Sequence, residues 1–86
     1  MQVILSPLAK KNLKKIHSLD QIIIYKKLRS LEDKYEHAGV KKLKGYKLFR
    51  LRVGKYRIVY ERTAAKVYVP IIAHRREVYN LLKRMF

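Results

Sequence analysis

Between residues 41 and 79 the chain sets Lys41, Lys42, Lys44 and Lys47 ahead of Arg50, Arg52 and Arg57. It closes that run with His74, Arg75, Arg76 and Tyr79. From Lys41 onward there are 14 Lys or Arg residues against two acids, Glu61 and Glu77. A guanidinium fork matches phosphate oxygens and keeps its charge at any working pH. A surface that gathers several such groups and almost no carboxylate is suited to holding RNA or DNA.

Other chemistries fit the residues poorly. Hard cations want clustered carboxylates, and Glu61 and Glu77 are far apart in the basic half. His17, His37 and His74 show no ligand spacing with one another, so no metal and no cofactor is expected. Ser6, Ser18 and Ser30 belong to the helical half, away from the basic strands, which argues against a serine nucleophile. Three glycines make no nucleotide-binding loop. Metal-free phosphate chemistry remains. In it the substrate's own 2′-hydroxyl attacks the adjacent phosphorus. The protein takes that proton, stabilises charge on the phosphorane oxygens and protonates the leaving 5′-oxygen. Arginines suit the second task but are poor proton carriers; Tyr79, His74 or a lysine must serve there. Each candidate has a plainer reading too. Arg50, Arg52 and Arg57 can be a solvated sheet face, Tyr79 a core aromatic, His74 a strand-end hydrogen bonder, and the four lysines a solvated loop.

The whole composition points the same way. The formal net charge is +16 over 86 residues, with a pI of about 10.4. Such a charge repels itself and favours polyanions or acidic partners. With no long Gly, Pro or Ser run, residues 1–86 are expected to form one domain. The absence of cysteine excludes disulfides and fits a reducing cytosol. The first apolar run is too short for a signal peptide, and nothing approaches the roughly 20 apolar residues of a membrane span. A cytoplasmic protein with no membrane partner is expected.

The elements that must position these residues are legible from periodicity. Val3, Ile4 and Leu5 read as a short strand ended by Ser6 and Pro7, an N-cap followed by a proline at the first helical position. Ala9, Leu13 and Ile16 mark the inner face of a first helix, and Ser18 is a candidate cap for a second. In that second helix Ile24, Leu28, Leu31 and Tyr35 form the apolar stripe, widened by Ile22 and Ile23, and Gly39 is expected to end it. After Gly45 the period falls to two. Residues 46–53 place Phe49, Leu51 and Val53 on one side and Leu48, Arg50 and Arg52 on the other. Gly54 and Lys55 form a turn. Residues 56–62 place Ile58 and Tyr60 opposite Arg57 and Val59. A third strand covers residues 67–73, with Pro70 requiring an edge position or a bulge. A last helix is predicted over residues 75–84. The expected class is α+β. A small antiparallel sheet, a three-strand meander plus the N-terminal strand, packs on an N-terminal helical hairpin and leaves its arginine face free.

That order of elements resembles the RelE/ParE superfamily of toxins from type II toxin–antitoxin systems, over essentially the whole chain. The most specific stretches are KLKGYKLFRLRVGKYRIVYE (residues 42–61) and IIAHRREVY (residues 71–79). RelE-type members cut messenger RNA in the ribosomal A site by the metal-free route above. The resemblance gives Arg57 the transition-state phosphate and puts Arg50 where these toxins carry a catalytic lysine. Tyr79 would stack on a base and assist proton transfer. Arg75, with Arg76 as second choice, would act at the leaving group. Leu48 departs from the pattern, which has a basic residue there, and this leaves the general base open and makes His74 more interesting. Lys41, Lys42, Lys44, Lys47, Arg52, His74 and Arg76 would contact RNA. The implied partners are a cognate acidic antitoxin, the ribosome and mRNA, with operator DNA reached only through the antitoxin complex. The competing readings are a ParE-like DNA gyrase inhibitor on the same fold and a non-catalytic basic rRNA-binding protein.

Overall fold

Ser6 ties the two ends of the chain's architecture together. Its hydroxyl accepts the Ala9 N–H at 2.9 Å, capping the first helix. The same hydroxyl donates to the Pro70 carbonyl at 2.8 Å, 64 residues away. The computed structural model describes residues 2–31 and 39–85. In chain order these form β1 (Gln2–Leu5), α1 (Pro7–Lys14), α2 (Ser18–Ser30), β2 (Val40–Lys42), β3 (Phe49–Val53), β4 (Tyr56–Arg62), β5 (Lys66–His74) and α3 (Val78–Met85). The class is α+β as expected, but the sheet has five strands in the order β1-β5-β4-β3-β2.

Two features of the sheet differ from expectation. β1 runs parallel to β5, from Gln2 opposite Lys66 to Leu5 opposite Val69, so the sheet is mixed. β2 is an additional antiparallel edge strand, Val40 to Lys42 against Leu51 to Phe49. Its pattern was too short and too lysine-rich to show alternation, and lysines on an edge strand are a common guard against further pairing. Residues 43–48, read in part as strand, instead form the connection to β3. There the Leu43 N–H bonds the Leu48 carbonyl at 2.9 Å. Pro70 lies in β5 between β1 and β4, not at an edge, and the bulge alternative holds. Val59 pairs with Ile71 and Glu61 with Tyr68, so two β5 residues stand opposite one of β4. Beyond the end of β1, the Ile72 N–H is taken by the Asn12 side chain at 3.3 Å.

The helical hairpin covers one face. Ala9, Leu13, Ile16, Ile24, Leu28 and Leu31 meet Leu51, Val53, Ile58, Tyr60, Val67, Val69 and Ile72. Across β3 and β4 the Phe49 and Tyr60 rings stack with centroids 5.5 Å apart. Ile22 and Ile23 do not widen the stripe; they are 52% and 49% exposed, because their angular positions on α2 turn them from the sheet. Ser18 is the first helical residue, and the cap is His17, whose Nδ1 accepts the Leu19 N–H at 3.3 Å. Tyr35 and His37 lie outside the described residues. Gly39, at φ +88°, approaches Arg52 closely, and its carbonyl accepts the Arg52 N–H at 3.0 Å.

The opposite face is not wholly free. α3 begins at Val78, three residues later than expected, because the Glu77 N–H closes a turn on the His74 carbonyl at 2.9 Å. It lays Val78 and Leu82 over Leu43, Leu48, Val59, Ile71 and Ala73 as a second core. What remains open beside α3 is the arginine-bearing end of β3 and β4.

Candidate nucleic-acid interface

Strand alternation and register bring the arginines together. Arg52 stands directly opposite Arg57, and Arg50 opposite Val59; Val59 belongs to the α3-side core, which fixes the face all three arginines share. Lys41 stands opposite Arg50 on β2, so it shares that face as well. Like charges directly opposite each other destabilise a sheet. The arrangement is therefore unfavourable in the free protein and becomes favourable once an anion lies across it.

Two further elements deliver the remaining groups. The Arg75 N–H bonds the Lys55 carbonyl at 2.8 Å, fastening the end of β5 to the β3–β4 turn and bringing Arg75 near Arg57. The first turn of α3 presents Tyr79, 46% exposed. Its Oη accepts from Arg50 Nη1 at 3.4 Å. Arg57 itself is anchored: Nη1 donates to the Gly54 and Tyr56 carbonyls, each at 2.9 Å. Gly54 supplies the turn with φ +58°, a conformation glycine adopts without strain. One nitrogen of the fork is thus spent on the backbone, which orients the rest of the guanidinium.

The electrostatics match the geometry. The Arg57 guanidinium is held below its ordinary pKa, first by desolvation, then by repulsion from Arg50, Arg52 and Arg75, with Tyr79 opposing. Among the described residues no carboxylate contributes. A cation whose folded pKa is lowered weakens folding at every pH below that value, so the cluster costs stability throughout the working range. Arg50 Nε is buried without a hydrogen-bond partner. Among the described residues no three His, Cys, Asp or Glu side chains gather where they could hold a metal ion.

Not every expected residue joins. His74 stands opposite Tyr56 on the helical-hairpin face. Its ring meets that of Tyr56 edge-on at 6.2 Å, and its Nδ1 accepts the Arg76 N–H at 3.2 Å. It is turned away from the arginines, because β5 alternates and Ala73 takes the site's face. Arg76 and Lys47 are exposed in connecting segments. Leu48, where a basic residue was expected, is 5% exposed in the second core. A charge there would be buried, and Arg52 supplies the second cation of β3 instead. Lys41, Lys42 and Lys44 line a cleft of about 440 Å³ that also includes Tyr46 and Tyr79. Tyr46, not singled out from the sequence, lines this cleft; an aromatic set among lysines was the available signal.

Fold and site together define a small α+β protein whose open sheet end concentrates cations around one anchored arginine. Residues 3–79 match the family model described as the ParE toxin of type II toxin–antitoxin systems, parDE. The chain belongs to this family, within the RelE/ParE superfamily of type II toxins. Solved structures agree. A double arginine-to-alanine mutant of the Escherichia coli toxin RelE in the free state is 26% identical, with a TM-score of 0.74 over 99% of this chain and 97% of that one. A chain of the RelB–RelE antitoxin–toxin complex of Methanococcus jannaschii is 23% identical, with a TM-score of 0.74 over 90% and 95% of the two chains. A chain of the RelBE2 toxin–antitoxin complex of Mycobacterium tuberculosis is 19% identical, with a TM-score of 0.73 over 86% and 96%. No curated protein matches the chain.

Proposed function

We propose that this toxin is a ribosome-dependent endoribonuclease that cuts messenger RNA in the A site without a metal and thereby halts translation. The observation that carries the reading is the arrangement of Arg50, Arg52 and Arg75 around the backbone-anchored Arg57, with the Tyr79 phenol in hydrogen-bond reach of Arg50. In this reading the scissile phosphate lies against Arg57, flanked by Arg50 and Arg52. The substrate 2′-hydroxyl attacks phosphorus, and the bond to the 5′-oxygen breaks. The products are a 2′,3′-cyclic phosphate and a 5′-hydroxyl. Charge gathering on the non-bridging oxygens meets guanidinium groups fixed before the reaction, the arrangement that lowers such barriers most. Arg75 acts at the leaving group. With His74 on the other face, the proton carriers left are Tyr79 and the lysines of β2 and the following connection.

An acidic antitoxin completes the reading. Three of the structural matches come from toxin–antitoxin complexes, and a net charge of +16 calls for an acidic companion. Binding to operator DNA would then belong to the antitoxin's part of the complex.

A gyrase-inhibiting activity is the second reading, favoured by the ParE description of the matching family. Two assays on the purified protein separate them. A translation reaction with truncated message and unaffected gyrase supercoiling supports the nuclease. Inhibited supercoiling with intact message overturns it.

A further inference from the structure

The cleft between β2, the 43–48 connection and α3 shares Tyr79 and its lysines with the phosphate chemistry above, but Tyr46, which also lines it, has no part in that chemistry. Its buried lining is apolar, Leu43 at 7% and Leu82 at 2% exposure. Its aromatic lining is Tyr46 and Tyr79, and its charged lining is lysine alone. At about 440 Å³ it falls within the roughly 300–1,000 Å³ of small-molecule sites. Tyr79 belongs to both places: its ring lines the cleft, while its hydroxyl meets Arg50 of the arginine cluster at 3.4 Å. The cleft therefore begins where the phosphate cluster ends.

We infer that this cleft binds one unstacked base of single-stranded RNA beside the phosphate held by the arginines, with Tyr46 as a stacking and selectivity residue. The inference rests on the nucleic-acid reading of the arginine face and extends it to a residue the cleavage step does not need. An apolar floor with planar aromatic surfaces suits a base, since every base has a π-face to stack. Lysines at the rim suit the phosphates on either side of it. Duplex RNA keeps its bases stacked and paired, and so cannot enter.

The test is binding of a short fluorescein-labelled single-stranded RNA, with an RNA duplex of equal length as control. Tyr46→Leu keeps apolar bulk against the second core but removes the ring. It is expected to weaken single-strand binding roughly tenfold, the loss typical of one stacked base, and to leave duplex binding unchanged. Tyr46→Phe is expected to bind as the unmodified protein does. Should Tyr46→Leu fail to fold, RNA carrying 2-aminopurine at successive positions tests the intact protein. Strong quenching at one position supports the inference, and unchanged fluorescence at every position overturns it. Equal single-strand affinity in folded Tyr46→Leu overturns the cleft alone, even where message is still cut. A cleft confirmed in a protein that cuts no message leaves the base site standing and removes the nuclease. A poly-glutamate peptide whose binding is lost in Tyr46→Leu, with RNA binding untouched, would reassign the cleft to an acidic protein partner.

Discussion

Arg57 carries more of the proposed chemistry than any other side chain, because it is tied by its own turn and pressed by three like charges. Removing a preorganised donor of this kind lowers turnover on the order of 10²–10³-fold. Arg57→Ala is accordingly expected to lose growth arrest and to cut message at least about a hundred times more slowly on programmed ribosomes, while still binding antitoxin. Tyr79→Phe keeps the exposed ring and loses the hydroxyl that meets Arg50; it too is expected to abolish growth arrest. Full toxicity in both variants would show that the site lies elsewhere. His74 gives the opposite expectation. Sequence pattern alone drew it toward the arginines, since the residues around it in the chain are basic. The strand's alternation sends it to the other face beside Tyr56. His74→Ala should therefore cut message at a rate close to the unmodified protein, and a hundredfold loss would contradict the placement.

At the scale of elements, local chemistry was readable wherever it was strong. Ser6 and Pro7 announced the start of α1, and the period of two set the faces of β3 and β4, including which side Leu48 and Val59 take. The sequence was silent where tertiary partners decide. The three residues of β2 form a strand only because β3 offers an edge, and the parallel seat of β1 on β5 depends on the path of the helical hairpin. Ile22 and Ile23 misled because apolar type says nothing of which way a helix turns its sides. Ser6 also acts beyond its predicted role, joining the α1 cap to the bulge at Pro70. Its replacement by Ala is expected to destabilise the fold by about 1–2 kcal/mol, more than the hydroxyl's outward contact alone, since both the cap and a buried hydrogen bond are lost. Urea unfolding of Ser6→Ala measures this, and an unchanged midpoint would refute the bridge.

At the scale of the molecule, charge sets the terms. A net +16 with an arginine pair facing across two strands is a poor arrangement for a protein that remains alone. Screening should relieve it, because the Debye length falls from about 10 Å at 0.1 M salt to about 3 Å at 1 M. The melting temperature of the free protein is expected to rise as sodium chloride is added over that range, and a fall would mean that attractive ion pairs dominate after all. The same excess of cations explains why a partner rich in carboxylates suits the molecule, and why substrate and partner would compete for one surface. The central claim is that these cations surround a phosphate during RNA cleavage. It is tested most directly by mapping and chemically typing the message ends left in a translation reaction containing the purified protein. The expected result is cuts within the A-site codon that bear 2′,3′-cyclic phosphate and 5′-hydroxyl ends, absent with Arg57→Ala. Intact message, or identical cuts with Arg57→Ala, would contradict the account.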